Sequence, residues 1–391
     1  MPRTGGRIEA VDLARGFALI GMMFTHIGPR WTGDNPPVGD MLAGGRAAPL
    51  FAMLAGVALT IVQRRDRGGA GSVRATWIRA VLLVLLGLAL GSLDRVPVYI
   101  ILAYYGVMIV IVLPFRRLST ASLFGLGAVW AVVAPIGLLW AQRQHETVHA
   151  LQTEWSDLQH PGELFMEVVV WGIYPVGVWI AYVLVGMAIG RLDLHRIVVA
   201  WRLVTAGAAL VALTLAAGLV AINRGVFDDR LEGGWRILFA GPSYPSQRPS
   251  WDELWLVGQH TSRPLGMLST IGSAALVIGL CALLVRMPWS RIALMPVRAA
   301  GAMTLTLYTV HVLWSWRARV DYEDAHPGVF QPHDYGDWLV QVVALGAAAT
   351  IWSLTIGKGP LEWLVRLVSV SAWPWVSSYL GRNEKSAPKG A

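Results

Sequence analysis

Apolar runs about as long as a membrane span recur along nearly the whole chain, separated by shorter stretches that are polar or rich in glycine and proline. A helix needs roughly 20 mostly apolar residues to cross the hydrocarbon core of a bilayer. Each run therefore predicts a membrane-spanning helix. The predicted spans lie near residues 8–28, 47–63, 77–93, 97–114, 120–140, 165–189, 201–222, 264–285, 299–316 and 336–356. This pattern predicts an all-α fold, a polytopic transmembrane helix bundle of about ten spans.

The segment GPLEWLVRLVSVSAWPWVSSYL, at residues 359–380, fits the span pattern less well than the other runs. Its Arg366, Pro374 and tryptophans suit a helix that lies in the membrane interface. We favour this C-terminal interfacial helix, with an eleventh span as the alternative. Residues 1–380 then form a single transmembrane domain, and residues 381–391 form a disordered cytoplasmic tail.

Composition and charge placement agree with a membrane protein. Of the 391 residues, 55% are hydrophobic and 14% are charged, against about 25% charged residues in an average soluble domain. The net charge of +8 does not indicate nucleic acid, because arginines gather in alternate loops, such as 64–79 and 191–202, while acidic residues gather in the others. The positive-inside rule then places both termini in the cytoplasm of a bacterial-type plasma membrane. The single cysteine, Cys281, excludes a disulfide framework and a cysteine-based metal site, and we expect no metal.

The first span carries three ionisable residues within an apolar run. In RIEAVDLARGFALIGMMFTH, residues 7–26, these are Asp12, Arg15 and His26. Eleven steps of a helix bring Arg15 and His26 to within roughly 20° of each other, about 16 Å apart along the axis. Asp12 lies one turn before Arg15, where an ion pair lowers the free energy of holding either charge in a membrane. Intramembrane ionisable groups are usually functional; the alternative is a structural ion pair and an interfacial histidine.

The ninth predicted span carries a polar stripe. In GAMTLTLYTVHVLW and the residue that follows it, Thr304, Tyr308, His311 and Ser315 recur at helical spacing on one face. His311 is expected in the outer half of the membrane, at about the depth of His26. Hydrogen bonds between helices, without any chemistry, are the alternative.

Two further residues are expected near the outer surface. Arg46 lies at the outer end of the second predicted span, where a guanidinium suits a developing oxyanion. His260 lies where a long external loop returns to the membrane, either to contact an acceptor or to cap a helix.

The cytoplasmic loop QRRDRGGAGSVRATWIR carries a cluster of arginines. A guanidinium binds phosphate through two parallel hydrogen bonds, so Arg64, Arg65, Arg67 and Arg74 are candidates to bind the phosphates of a nucleotide-bearing donor. Positive-inside topology alone explains such a loop equally well. The sequence contains neither a P-loop nor a dinucleotide fingerprint.

These motifs together resemble a known family. RIEAVDLARGFALIGM, GRAAPLF, ILAYYG, QHTSRPLGML and GPLEW are similar to the bacterial branch of the heparan-α-glucosaminide N-acetyltransferase group. That group is related to the acyltransferase-3 family within the membrane-bound acyltransferases. The resemblance implies transfer from acyl-CoA inside to an acceptor outside, with the arginine and histidine of the first span central to it. Heparan-α-glucosaminide N-acetyltransferase itself, a lysosomal enzyme, is expected to use a histidine just beyond the corresponding helix. Residues 28–45 contain none here, so if a histidine acts, the resemblance assigns that role to His26, as in the acyltransferase-3 pattern.

Residues and resemblance together predict an acyl-CoA-dependent transmembrane acyltransferase. Acetyl-CoA or another short acyl-CoA is the expected donor, and a sugar or amine outside the cytoplasm is the expected acceptor. His26 is the expected general base, Asp12 is expected to hold Arg15, and Arg15 and the loop arginines to bind acyl-CoA. Arg46, Tyr308, His311 and His260 are expected at the acceptor or oxyanion. A homodimer is compatible with the small-residue helix faces.

Two other function classes stay open at this point. In a proton-coupled transporter or exporter of a small molecule, the same ionisable residues would relay protons or bind the transported molecule. In a non-catalytic scaffold or sensor, the long external loops would be the partner surface. Release of free thiol from acyl-CoA distinguishes the enzyme from both.

Overall fold

A computed structural model describes residues 8–29, 37–65, 70–144, 152–227, 235, 237–240, 249–329 and 331–369. Throughout these ranges the regular structure is helical, with no strand. The predicted tail at 381–391 and residues 370–380 of the predicted interfacial helix lie outside the described residues.

Fifteen α-helices follow one another in the described ranges. They are α1 (Glu9–Ile27), α2 (Val38–Ala43), α3 (Ala47–Arg65), α4 (Ala70–Gly91), α5 (Leu102–Val112), α6 (Thr120–Gln144), α7 (Pro161–Met166), α8 (Val176–Ile189), α9 (Ile197–Asn223), α10 (Ile237–Ala240), α11 (Pro264–Leu284), α12 (Ser290–Ala293), α13 (Met295–Ala302), α14 (Thr304–Ala325) and α15 (Tyr335–Thr355). A further helical stretch covers 360–369.

Seven of the described helices are long and apolar enough to cross a membrane, or eight if the bent pair at 161–189 is one span. The two arms of that pair meet at 56°, after a π-helical turn at Glu167–Trp171. The polytopic helix bundle is therefore confirmed, whereas the number of ten spans stays a prediction.

Two predicted spans differ from the helices that the structure has. The span at 97–114 is only partly helical, because α5 has 11 residues and a 3₁₀ turn follows at Leu113–Arg117. The span at 299–316 is divided at Met303 into α13 and α14. The second half of α14 carries charged residues such as Arg317 and Asp321, which explains why its mean hydropathy is low.

Buried apolar side chains form two main clusters. The larger includes Met53 of α3, Met108 of α5 and Leu184 of α8. The smaller lies where α1, α13, α14 and α15 meet, and it includes Leu19 and Val312. The polar residues predicted on the first and ninth spans are carried by the helices of this smaller cluster.

Glycine lets α1 and α13 approach until their backbones touch. A Cβ added to Gly301 would lie 1.7 Å from the carbonyl oxygen of Asp12, and one added to Gly16 would lie 2.1 Å from that of Val297. Small residues permit such contacts between membrane helices, where van der Waals packing drives association. The position of α1 is therefore fixed by backbone contact as well as by side chains.

The carboxylate of Glu362, in the GPLEW motif, caps the first turn of α14. It accepts hydrogen bonds from the backbone N–H of Leu305, at 2.7 Å, and from the hydroxyl of Thr306, at 2.6 Å. The first N–H groups of a helix have no partner within the helix and favour an anion. The motif therefore has a structural role, which is to hold the start of the helix that carries His311.

Candidate functional site

A pair of buried histidines joins α1 to α14. Nδ1 of His26 lies 3.0 Å from Nε2 of His311, and the two ring planes are nearly parallel, at 7°. His26 is 9% exposed and His311 is fully buried. The sequence predicted both histidines at similar depth, and the structure brings them into hydrogen-bond contact.

Two more polar side chains surround His311. Its Nδ1 lies 2.7 Å from the amide oxygen of Gln341, on α15, and 3.5 Å from the hydroxyl of Ser315, one turn further along α14. The amide nitrogen of Gln341 donates to that hydroxyl at 3.4 Å. We call His26, His311, Ser315 and Gln341 the imidazole network. Because a neutral imidazole has one donor and one acceptor nitrogen, this network can hold a proton at a defined atom.

A cavity of about 430 Å³ lies beside the imidazole network. This volume is within the range of about 300–1,000 Å³ that small-molecule sites occupy. Ser315 and Gln341 form part of its wall, so a single layer of side chains separates it from His311. The remaining lining residues mix apolar and polar groups: Ile27, Pro97, Trp314, Ala318, Arg319, Gln331, Pro332, His333, Asp337 and Val340.

The wall of this cavity is held by contacts between α14 and the turn that follows α4. The indole N–H of Trp316 donates to the carbonyl oxygen of Asp94 at 2.7 Å, and Arg95 pairs with Asp324 at 3.1 Å. Pro97, in the same segment, lines the cavity. Contacts between two separate parts of the chain therefore hold this side of the cavity in place.

Asp12 and Arg15 form the predicted ion pair near the start of α1. Nη1 of Arg15 lies 3.7 Å from a carboxylate oxygen of Asp12, and the Arg15 side chain is 26% exposed. About 16 Å along the helix axis separates Arg15 from His26, so the two residues do not share a contact.

Arg46 stabilises the turn between α2 and α3. One of its guanidinium nitrogens donates to the carbonyl oxygens of Met41, at 2.8 Å, and Gly44, at 3.2 Å, and the guanidinium lies over the ring of Phe239. The contacts described for Arg46 do not include either histidine of the imidazole network. Its predicted role at an oxyanion stays a prediction.

Tyr308 is buried and His260 is half-buried, and the two side chains lie in different surroundings. Tyr308 packs in the smaller apolar cluster, and with His311 and Ser315 it turns the polar stripe of α14 inward. The ring of His260 contacts that of Tyr174 edge-on, and its Nδ1 has no hydrogen-bond partner among the described residues. Burial lowers the pKa of His260 to about 4. His260 is therefore neutral at physiological pH.

The predicted phosphate-binding arginines are only partly described. Arg64 donates to the carbonyl oxygen of Arg191 at 3.2 Å, and Arg74 is exposed. Arg67 and the side chain of Arg65 lie outside the described residues. The position of Arg64 is thus known, while a phosphate site on this loop stays a prediction.

Gln341 is the member of the imidazole network that sequence reasoning missed. It is the only polar residue between Trp338 and Ala349 in WLVQVVALGAAA. A polar side chain within an apolar span is costly unless it is paired, and this signal was sufficient to single it out. In the described part of the chain, no group of three or more His, Cys, Asp or Glu residues is placed to hold a metal ion.

Comparison with known proteins identifies the family. A family model described as heparan-alpha-glucosaminide N-acetyltransferase, catalytic, matches residues 7–219, more than half of the chain. The chain belongs to this family. None of the curated proteins compared with it matches. The match covers α1 to most of α9 and ends before His311 and Gln341.

Membership confirms the resemblance found in the sequence. Together with the apolar helices, it makes the protein a multi-pass membrane acetyltransferase in general terms.

Proposed function

We propose that this acetyltransferase moves an acetyl or other short acyl group from cytoplasmic acyl-CoA to a sugar or amine on the opposite side of the bacterial-type plasma membrane. The observation that carries the proposal is the buried contact between His26 and His311. An imidazole is the commonest general base in enzymes, and this one lies inside the bundle of a membrane acetyltransferase.

The direction of transfer rests on the distribution of charge. Arginines gather in the loops on the side where α1 begins, so the positive-inside rule puts both termini in the cytoplasm. His26, at the far end of α1, then lies in the outer half of the membrane. Acyl-CoA enters from the cytoplasm past Arg15, with the loop residues Arg64, Arg65, Arg67 and Arg74 as candidates to bind its phosphates.

The acceptor approaches from the outer side. The cavity beside the imidazole network opens at the end of α14 that faces this side, and its lining offers hydrogen-bonding groups next to the indole of Trp314. Such a lining suits a small molecule with hydroxyl or amine groups. The sugar or amine class of the acceptor agrees with this chemistry.

His26 takes a proton from the acceptor hydroxyl or amine as the acceptor oxygen or nitrogen attacks the thioester carbonyl. The new C–O or C–N bond forms, the C–S bond breaks, and the proton passes from His26 to the CoA thiolate. His311 holds the ring of His26 through their hydrogen bond, and Asp12 holds Arg15 through their ion pair. No metal takes part in these steps.

The experiment is to measure free thiol released from acetyl-CoA by the purified protein in detergent, with methyl glucosaminide as acceptor. His26→Ala is expected to lower release by about 10²–10⁴-fold, the usual contribution of a general base. The matched control is His326→Ala, because His326 is exposed at the end of α14. The proposal fails if folded native protein releases no thiol from any short acyl-CoA, an outcome that favours the transporter, or if His26→Ala keeps full activity.

A further inference from the structure

We propose that Gln341 is a positioning residue that fixes the tautomers of His26 and His311. In the resulting tautomer, His26 carries its basic lone pair on Nε2. This inference rests on the proposed function only for its catalytic consequence. The tautomers themselves are a property of the folded protein without substrates.

The first step concerns the amide of Gln341. Its oxygen faces Nδ1 of His311 at 2.7 Å, while its nitrogen donates to the hydroxyl of Ser315. An amide oxygen only accepts hydrogen bonds, so Nδ1 of His311 must carry a hydrogen. In this orientation the hydroxyl of Ser315 accepts the hydrogen bond of the amide nitrogen.

The second step carries this assignment to His26. A neutral His311 with a hydrogen on Nδ1 has an unprotonated Nε2, which accepts the hydrogen bond measured at 3.0 Å. The donor must then be Nδ1 of His26. The neutral ring of His26 therefore carries its lone pair on Nε2, the nitrogen that is not bonded to His311.

Burial makes the hydrogen bonds of this chain obligatory. Gln341 is 4% exposed, Ser315 2% and His311 0%, so water has little access to replace a missing partner. In surroundings of low dielectric constant an unpaired polar group is costly, and a correctly paired one is stabilised more than in water. If the amide were reversed, each hydrogen bond of the chain would reverse, and Nε2 of His26 would carry a hydrogen instead of a lone pair.

The same geometry supports His26 during the reaction. When Nε2 of His26 accepts the proton of the acceptor, the resulting imidazolium still donates from Nδ1 to His311. His311 donates in turn to the amide oxygen of Gln341, whose dipole favours this direction. Gln341 thus acts on His26 through His311, and its side chain also forms part of the wall of the cavity.

Three variants separate positioning from structural support. Gln341→Leu removes the acceptor atom, Gln341→Glu keeps an acceptor oxygen but adds charge, and Val343→Leu is the control, exposed on the same helix. Gln341→Leu is expected to lower kcat by roughly tenfold to hundredfold, a part of the contribution of a positioned base, with the KM for acetyl-CoA unchanged. In Gln341→Glu, the added carboxylate charge favours a second proton on His311, so that Nε2 of His311 donates to His26. The acid limb of the pH–rate profile of this variant is therefore expected to move to higher pH, and activity is expected to return at pH values above that limb.

The tautomers are read directly by ¹⁵N NMR of protein labelled on histidine, without substrates. The native protein is expected to show protonated Nδ1 and unprotonated Nε2 for both rings, assigned by the loss of signals in His26→Ala and His311→Ala. Gln341→Leu is expected to lose this pattern. The opposite tautomer in the native protein, or the native pattern retained in Gln341→Leu, overturns the inference. If the native protein lacks transferase activity but shows the expected tautomers, the proposed function fails and the tautomer assignment stands.

Discussion

The two ends of α1 hold their polar side chains in different ways. Near the start of the helix, Asp12 is paired with Arg15 three residues later, within the same helix. Near its end, His26 reaches across to α14, and the chain of contacts continues to Gln341 on α15. The first group needs one helix, whereas the second exists only when three helices are packed together.

This difference indicates which end is suited to chemistry. An ion pair within one turn persists wherever the helix goes, because the helix itself sets the distance between the two residues. A hydrogen-bond chain across three helices reports their relative positions to a fraction of an ångström, and such preorganisation is what a catalytic base needs. We therefore infer that the Asp12 end mainly anchors α1, while the His26 end carries the reaction.

The anchoring end is broken most severely by Gly301→Ala. Its new Cβ would lie 1.7 Å from the carbonyl oxygen of Asp12, so α13 would be forced away from α1. We expect a loss of more than about 3 kcal/mol, at the upper end of overpacking effects, seen as a lower Tm or as aggregation in size-exclusion chromatography. Gly137→Ala is the control, because a Cβ there meets open space. An unchanged Tm for Gly301→Ala would contradict the backbone contact.

A pH titration tests His260, an imidazole outside the imidazole network. Burial lowers the pKa of His260 from 6.5 to about 4, so the unfolded chain takes up a proton at a pH where the folded chain does not. The stability contribution is full above pH 6.5 and is lost as pH falls towards 4. The loss reaches roughly 3 kcal/mol, at about 1.36 kcal/mol per pH unit.

The comparison variant for this titration is His260→Asn, because asparagine tolerates the positive φ of this residue, 50°. Denaturant unfolding in detergent at several pH values should show the native protein losing stability relative to the variant below pH 6.5. Parallel curves for the two proteins from pH 7 to 4 would refute the assignment.

The reactive end is broken by His311→Ala. Removal of this ring leaves His26 without its partner, so we expect a loss in kcat of about a hundredfold with little change in Tm. Imidazole added to the assay should restore part of the rate by filling the space left by the side chain. Thr309→Ala, on the same helix, serves as control because its hydroxyl donates to the carbonyl oxygen of Leu305 within α14. Full activity of His311→Ala would remove the pair from the mechanism.

The cavity beside the imidazole network can be filled by a substitution that leaves all four residues of that network in place. Val340→Trp places a large ring in the cavity, whereas Val343 lies one turn on, is exposed and does not line it. We expect Val340→Trp to raise the KM for methyl glucosaminide by about tenfold, equivalent to about 1.4 kcal/mol, with an unchanged KM for acetyl-CoA. Equal effects of Val340→Trp and Val343→Trp would exclude the cavity as the acceptor's route.

The ion pair at the anchoring end gives the smallest effect. Asp12→Asn removes the carboxylate charge that lies 3.7 Å from Nη1 of Arg15, and we expect a loss of about 1 kcal/mol, between the values for exposed and buried pairs. The double variant Asp12→Asn, Arg15→Gln should recover part of that stability, as a thermal unfolding series in detergent would show. If the double variant is the less stable protein, the ion pair is not what links the two residues.

Local spacing accounts for what was predictable from the sequence. The helical class, the Asp12–Arg15 pair and the inward polar stripe of α14 all follow from distances along one helix, which the chain fixes by itself. The family was also recognisable from motifs spread over the chain, and the family match confirms it.

The contacts between helices were not predictable. That His26 would meet His311, and that Gln341 would complete the chain, depends on how α1, α14 and α15 pack, which a single sequence does not determine. Arg46 illustrates the opposite case: it was expected at an oxyanion, but its described partners are the backbone of its own turn and Phe239. Hydropathy likewise does not reveal a break inside an apolar run, such as the one at Met303.

The backbone contact between α1 and α13 limits how the protein moves. Because Gly16 and Gly301 put no side chain between the two backbones, we expect these two helices to move as one unit. If the transfer across the bilayer that we propose needs helix movement, that movement must occur elsewhere in the bundle. Met303, with φ −134° and ψ 41°, separates α13 from α14, so the joint lies eight residues before His311. Any tilt of α14 about this joint changes the distance between His311 and His26. The distance between the two imidazole rings therefore reports the position of α14 relative to α1.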